Sequence, residues 1–173
     1  MGRMNKKKIK QKVGIEKPTR TSDFQQVVEN TQDIASGYKP GLQAIENKYR
    51  NKISLDSSLL NGSVDIDSQV KSLYPEDSRW DYVIGYNNMA YFVEVHPAST
   101  TEVLTMLNKV SWLEKWLVSK APLLQQVRKG KLLYWIPSGN CRILKGSPQE
   151  KKLAQSNLII VNPFKLENKI EKK

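Results

Sequence analysis

One cysteine, Cys141, and one histidine, His96, stand in 173 residues. A single thiol excludes an intrachain disulfide and a CxxC-type zinc site, and one imidazole leaves no partner for a histidine zinc centre. The sequence has no GxGxxG, no P-loop and no HExxH, so the familiar nucleotide and zinc-protease signatures are missing. No GxSxG elbow presents a serine nucleophile either. No apolar run approaches the ~18 residues of a membrane span, and the longest are Leu132–Ile136 and Leu158–Val161. Lysines near the N-terminus are followed by no apolar segment, so no secretory signal is read there. A reducing cytoplasm and no membrane partner are the expectation.

Charge of one sign is scarce in the middle of the chain and plentiful at its ends. The formal net charge is +11. Residues 1–20 hold eight Lys/Arg and one Glu, and residues 150–173 hold six Lys and three Glu. Between them, fourteen Lys/Arg face thirteen Asp/Glu. Basicity therefore resides in the tails. Lys6, Lys7, Lys8, Lys10 and Lys12 are the candidate nucleic-acid contacts, which a basic tail makes weakly and without sequence preference. A solubilising tail fits the same residues. The organisation expected is a basic tail without its own structure over 1–20, one α/β domain over 21–163, and a polar tail over 164–173.

What the chain does have is Trp80–His96, WDYVIGYNNMAYFVEVH. Two runs of aromatic and β-branched residues flank Asn87-Asn88, and Asn accepts the positive φ of a tight turn, so the stretch predicts a β-hairpin. A turn centred on Asn87-Asn88 pairs Tyr86 with Met89, Ile84 with Tyr91 and Asp81 with Glu94. Phe92, Glu94 and His96 then share one strand face, and Tyr91, Val93 and Val95 the other. Asp81 and Glu94, opposed at ~5 Å, repel unless a positive group lies between them or one carboxyl is protonated. With His96 they form a compact O/O/N cluster.

These residues resemble the PD-(D/E)XK nuclease-like superfamily. Trp80-Asp81 stands for the Pro-Asp, and Glu94-Val95-His96 for the acidic-x-Lys. His96 occupies the lysine position and Trp80 the proline position. The likeness spans roughly 41–161 and implies a restriction endonuclease-like αβββαβ core, in which a mixed sheet is flanked by helices. It implies Asp81 and Glu94 as ligands of Mg²⁺ or Mn²⁺, and Asp81, Glu94 and His96 as the catalytic set for phosphodiester hydrolysis of DNA or RNA. A lysine displaced onto the following helix, Lys109, and an extra acid, Glu46, are further candidates. Many enzymes of this fold dimerise, which makes a second copy an expected partner. The alternative is the same fold without catalysis, acting as a nucleic-acid-binding or protein-interaction module.

The remaining elements follow from local signals. Ser22 with Gln25, and Ser99 with Glu102, make capping boxes for helices from Ser22 and over Thr100–Lys120. A second helix is predicted over Leu42–Lys52, an edge strand around Val64–Asp67, and a buried strand over Lys131–Ile136. A short return strand is predicted over Cys141–Leu144, and a second buried strand over Leu158–Val161. Trp112 and Trp116, four residues apart, suggest core or helix packing rather than base stacking.

Overall fold

The computed structural model describes residues 23–166; Lys6, Lys7, Lys8, Lys10, Lys12 and the Ser22 cap lie outside them. In chain order the elements are α1 (Asp23–Glu29), β1 (Ile53–Ser54), β2 (Leu60–Asp65), α2 (Ile66–Val70), β3 (Tyr82–Tyr86), β4 (Met89–His96), α3 (Val103–Ser119), α4 (Pro122–Val127), β5 (Leu133–Pro137), α5 (Pro148–Ala154), β6 (Leu158–Ile160) and β7 (Phe164–Lys165). A mixed sheet of order β2-β3-β4-β5-β6 forms the centre. β2, β3 and β4 are an antiparallel meander, while β5 and β6 run parallel to β4. Parallel neighbours need crossovers, which α3 with α4 and then α5 provide. The mixed α/β sheet flanked by helices is as the sequence predicts.

The hairpin has the predicted register. Asn87 and Asn88 adopt φ of 50° and 57°, and Tyr86 pairs with Met89 and Ile84 with Tyr91. Alternation then sends Val83, Ala90 and Phe92 to one core, with Phe24, Met106 and Leu113, and sends Tyr82, Ile84, Tyr91 and Val95 to a second core with Ile45 and Phe164. Gly85 sits where α1 crosses the sheet. A Cβ there would lie 2.3 Å from the Phe24 ring, so only a bare Cα lets the ring settle.

Several expected elements differ, each for a local reason. The first helix, whose apolar spacing in the sequence runs on to Ile34 with Gly37 as its stop, ends at Glu29, because Asn30 Nδ2 and Thr31 Oγ1 donate to the carbonyls of Gln26 and Val27 and close the last turn. In place of the Leu42–Lys52 helix there are turns and a 3-10 helix over Asn47–Lys52. Arg50 donates from Nε to the Ile45 carbonyl at 2.9 Å and from Nη2 to the Gln43 carbonyl at 3.1 Å, so a side chain satisfies those groups without a helical ladder. The edge strand ends at Asp65, whose carboxylate accepts the Ser68 N–H at 2.9 Å and caps α2. Cys141–Leu144 makes no strand; Arg142 forms an isolated bridge to Ser99. α5 was not anticipated, although Ser147-Pro148-Gln149-Glu150 carries its signature: Ser147 Oγ accepts the Glu150 N–H at 3.1 Å. Phe164, assigned from sequence to a polar tail, is fully buried and pairs with Ile53.

Candidate active site at the open end of the hairpin

Asp81 immediately precedes β3, and the Tyr82–Val93 pairing sets it opposite Glu94. At this end the main-chain ladder gives way to side chains. The Asp81 N–H donates to Glu94 Oε2 at 2.8 Å, and the Val95 N–H donates to Asp81 Oδ2 at 3.2 Å. Each carboxylate thus holds the other strand's backbone. The Asp81 carbonyl accepts the Ile66 N–H at 2.7 Å, which ties the site to the start of α2.

The positive group demanded by two opposed acids comes from α3. Lys109 is in helical phase with the buried residues Met106 and Leu113, so its stem runs along the core side of the helix. Its Nζ donates to Asp81 Oδ1 at 3.3 Å and to Glu94 Oε1 in a close contact. Side-chain exposure falls from 22% for Asp81 to 15% for Lys109 and 0% for Glu94. Burial pushes the Glu94 carboxyl well above the ordinary glutamate range, and the charge of Asp81 adds to this, while Lys109 offsets part of both. Burial works against the Lys109 ammonium, but Glu94 and Asp81 outweigh it and raise its pKa. One ammonium serves two carboxyl groups.

His96 does not join this cluster. Its Nε2 lies 2.7 Å from Glu102 Oε2, and its carbonyl accepts the Trp135 Nε1–H at 3.0 Å. Among the described residues no group of three or more His, Cys, Asp or Glu is placed to hold a metal ion, so the O/O/N triad does not assemble. The cause is local. Pro97 turns the chain back through a 3-10 turn over Thr100–Glu102, laying Glu102 against His96. Ser99 makes no side-chain cap bond: the Glu102 N–H donates to the Ser99 carbonyl at 3.1 Å, and Ser99 Oγ lies 2.9 Å from Thr101 Oγ1. Glu46 is exposed and pairs with Lys48 at 2.9 Å.

Glu102, at the entry to α3, and Lys109, Trp112 and Trp116 along it follow one another at spacings that keep them on one side of a helix. Each meets a different part of the chain. Trp112 Nε1 donates to Asp77 at 3.1 Å, and Trp116 Nε1 to Asp33 at 2.9 Å. The two indoles stack at 5.7 Å with planes 10° apart, and the core place expected of the pair is taken by Trp116, with Trp112 packed against it. An open groove of ≈ 380 Å³ lies between this part of α3 and Glu76–Ser78. A second, of ≈ 240 Å³, opens where β4 and β5 end, lined by Pro97–Ser99, Ser138–Asn140 and Arg142.

The arrangement presents hard anionic oxygens beside a permanent cation, which suits the handling of a phosphate or a polarised water. Asp81 and Glu94 come together as the sequence predicts, and Lys109, named there only as an alternative, completes them. The usable signal was its phase: a lysine aligned with an apolar helix stripe must find a buried partner. No family model matches the chain, and no curated protein or solved structure matches it.

Proposed function

We propose that the chain is a metal-dependent phosphodiester hydrolase acting on nucleic acid, with Asp81, Glu94 and Lys109 as its reacting set. The observation that carries this reading is the contact of Lys109 Nζ with both carboxylates. It provides the acid–acid–lysine set of the PD-(D/E)XK nucleases, with the lysine delivered by α3 instead of the strand position held by His96. With β1, α2 and α4 set aside as additions, the order α1, β2, β3, β4, α3, β5 follows the αβββαβ order of that group.

The donor set fits a divalent cation. Two carboxylates suit Mg²⁺ or Mn²⁺, which keep several waters. Asp81 and Glu94 would hold the ion. When bound it would supply Lewis-acid charge and lower the pKa of a water. Lys109 brings a positive charge to the place where negative charge builds on phosphoryl oxygens. The backbone bonds from Asp81 and Val95 orient the two carboxylates before any substrate arrives.

A second reading, a binding module of the same fold without catalysis, is favoured by one fact. All four carboxylate oxygens already have partners within the chain. Cleavage of single- and double-stranded DNA and RNA with Mg²⁺ or Mn²⁺ separates the two. The nuclease reading expects cleavage that Glu94→Gln, Asp81→Asn and Lys109→Ala each lower by about 100-fold or more with the fold intact by circular dichroism. Cleavage unchanged in Glu94→Gln would reject it.

A further inference from the structure

We propose that the groove between α3 and Glu76–Ser78 receives one unpaired nucleotide of the strand being cleaved, with its base against Trp112. This rests on the reading of Asp81, Glu94 and Lys109 as a phosphodiester site. Position is the first argument. Lys109 and Trp112 are three residues apart on α3, so they lie side by side within one helical turn. The opposite wall, Glu76 and Asp77, leads through Ser78 and Arg79 to Trp80-Asp81. Both walls are therefore continuous with the residues of the reaction centre. A strand whose phosphate met Asp81, Glu94 and Lys109 would bring a neighbouring nucleoside towards these walls.

Chemistry decides which part of that nucleotide enters. Glu76 and Asp77 place two carboxylates on one wall against the single ammonium of Lys115 on the other, so a phosphate is disfavoured. Asn108 and Ser111 offer an amide and a hydroxyl, which suit base edges and sugar hydroxyls. Trp112 is half-buried and held before a ligand arrives. Trp116 stacks on it, Tyr74 meets it edge-on at 5.7 Å, and its Nε1 is tied to Asp77. A ring so placed offers a base-stacking surface at low ordering cost. At ≈ 380 Å³ the groove has room for one nucleoside. The substrate class is accordingly an unpaired nucleotide: a single strand, a frayed end or a flipped base.

Anisotropy with the full chain, chelator present to prevent cleavage, tests this directly. The labelled probes are a short single-stranded DNA, the same length of RNA, a deoxyribose-phosphate backbone of that length lacking bases, and a duplex. The basic N-terminal tail reads phosphates and binds the single strands and the abasic backbone alike, whereas the groove reads bases. The expected result is about tenfold tighter binding of a base-bearing single strand than of the abasic backbone. The duplex should gain nothing over its phosphate-driven binding, and the DNA and RNA arms show which sugar the groove accepts. Ser111→Trp, which fills the groove from an exposed position, should abolish the preference, as should Trp112→Leu. Equal affinity for base-bearing and abasic strands overturns the proposal, and so does a preference that survives Ser111→Trp. Base preference in a protein that cleaves nothing would keep the subsite and reject the nuclease, while cleavage without base preference would reject the subsite alone.

Discussion

Lys109→Met isolates the electrostatics of the site, because methionine keeps much of the buried stem and removes the ammonium. Glu94 is fully buried and faces Asp81 across the hairpin, with Lys109 as the cation between them. Removing one partner of a buried pair costs about 3–5 kcal/mol. For a chain of this size each kcal/mol lowers Tm by about 2–4 °C, so the expected loss is roughly 6–20 °C where Glu94 is ionised. The loss must depend on pH. The folded protein holds the Glu94 proton more tightly than the unfolded chain, so stability present in acid is lost as pH rises from the ordinary carboxylate range through the raised one. Without Lys109 the carboxyl rises further, and the slope approaches about 1.4 kcal/mol per pH unit. Thermal melts of both proteins between about pH 5 and pH 8 should therefore show a small deficit in acid that widens towards neutrality. The double variant Lys109→Met/Glu94→Gln should recover most of the loss near pH 8, since both buried charges are gone. A deficit independent of pH, or one the double variant fails to relieve, would refute the assignment of Glu94 as the group that titrates against Lys109.

Gly85→Ala should cost about 1–3 kcal/mol, because its Cβ enters the Phe24 ring at 2.3 Å. Denaturant melts will show this, and pairing it with Phe24→Leu should return part of the loss. If cleavage is established, His96→Ala should leave the rate within about tenfold, while Lys109→Ala removes about 100-fold or more; the opposite order would return the cationic role to the strand.

How much of this was legible from sequence depended on whether the determining interaction was local. The hairpin register followed from Asn87-Asn88 and strict alternation, so the Asp81–Glu94 pairing and its need for a cation were both readable. Which cation answers that need was readable only as an alternative, Lys109, because it depends on how α3 rotates against β4, and the packing of Met106 and Leu113 on the sheet sets that rotation. His96 was misplaced for a related reason. Its spacing from Glu94 is local, but Glu102 reaches it only after Pro97 reverses the chain. The segment covering the second face was misread as a helix because Leu42, Ile45 and Tyr49 keep helical spacing while Arg50 satisfies the carbonyls that a helix would use. α5 was overlooked in spite of its cap, since its seven residues bury no side chain fully and leave no apolar stripe to notice.

The line of anchors along α3 has a mechanical consequence. From the cap residue Glu102 to Trp116 the chain covers about 20 Å. Over that length it is fastened to His96 on β4, to Asp81 and Glu94 on the hairpin, to Asp77 before β3 and to Asp33 after α1. Sliding or rolling α3 enough to free Lys109 strains the other fastenings at the same moment. The ammonium consequently has no private route out of place: it is aligned while the whole assembly is docked and released only when the assembly lets go. Backbone amides around Lys109 should then exchange with solvent through the global unfolding event, and the site should survive heating intact until the molecule melts as one.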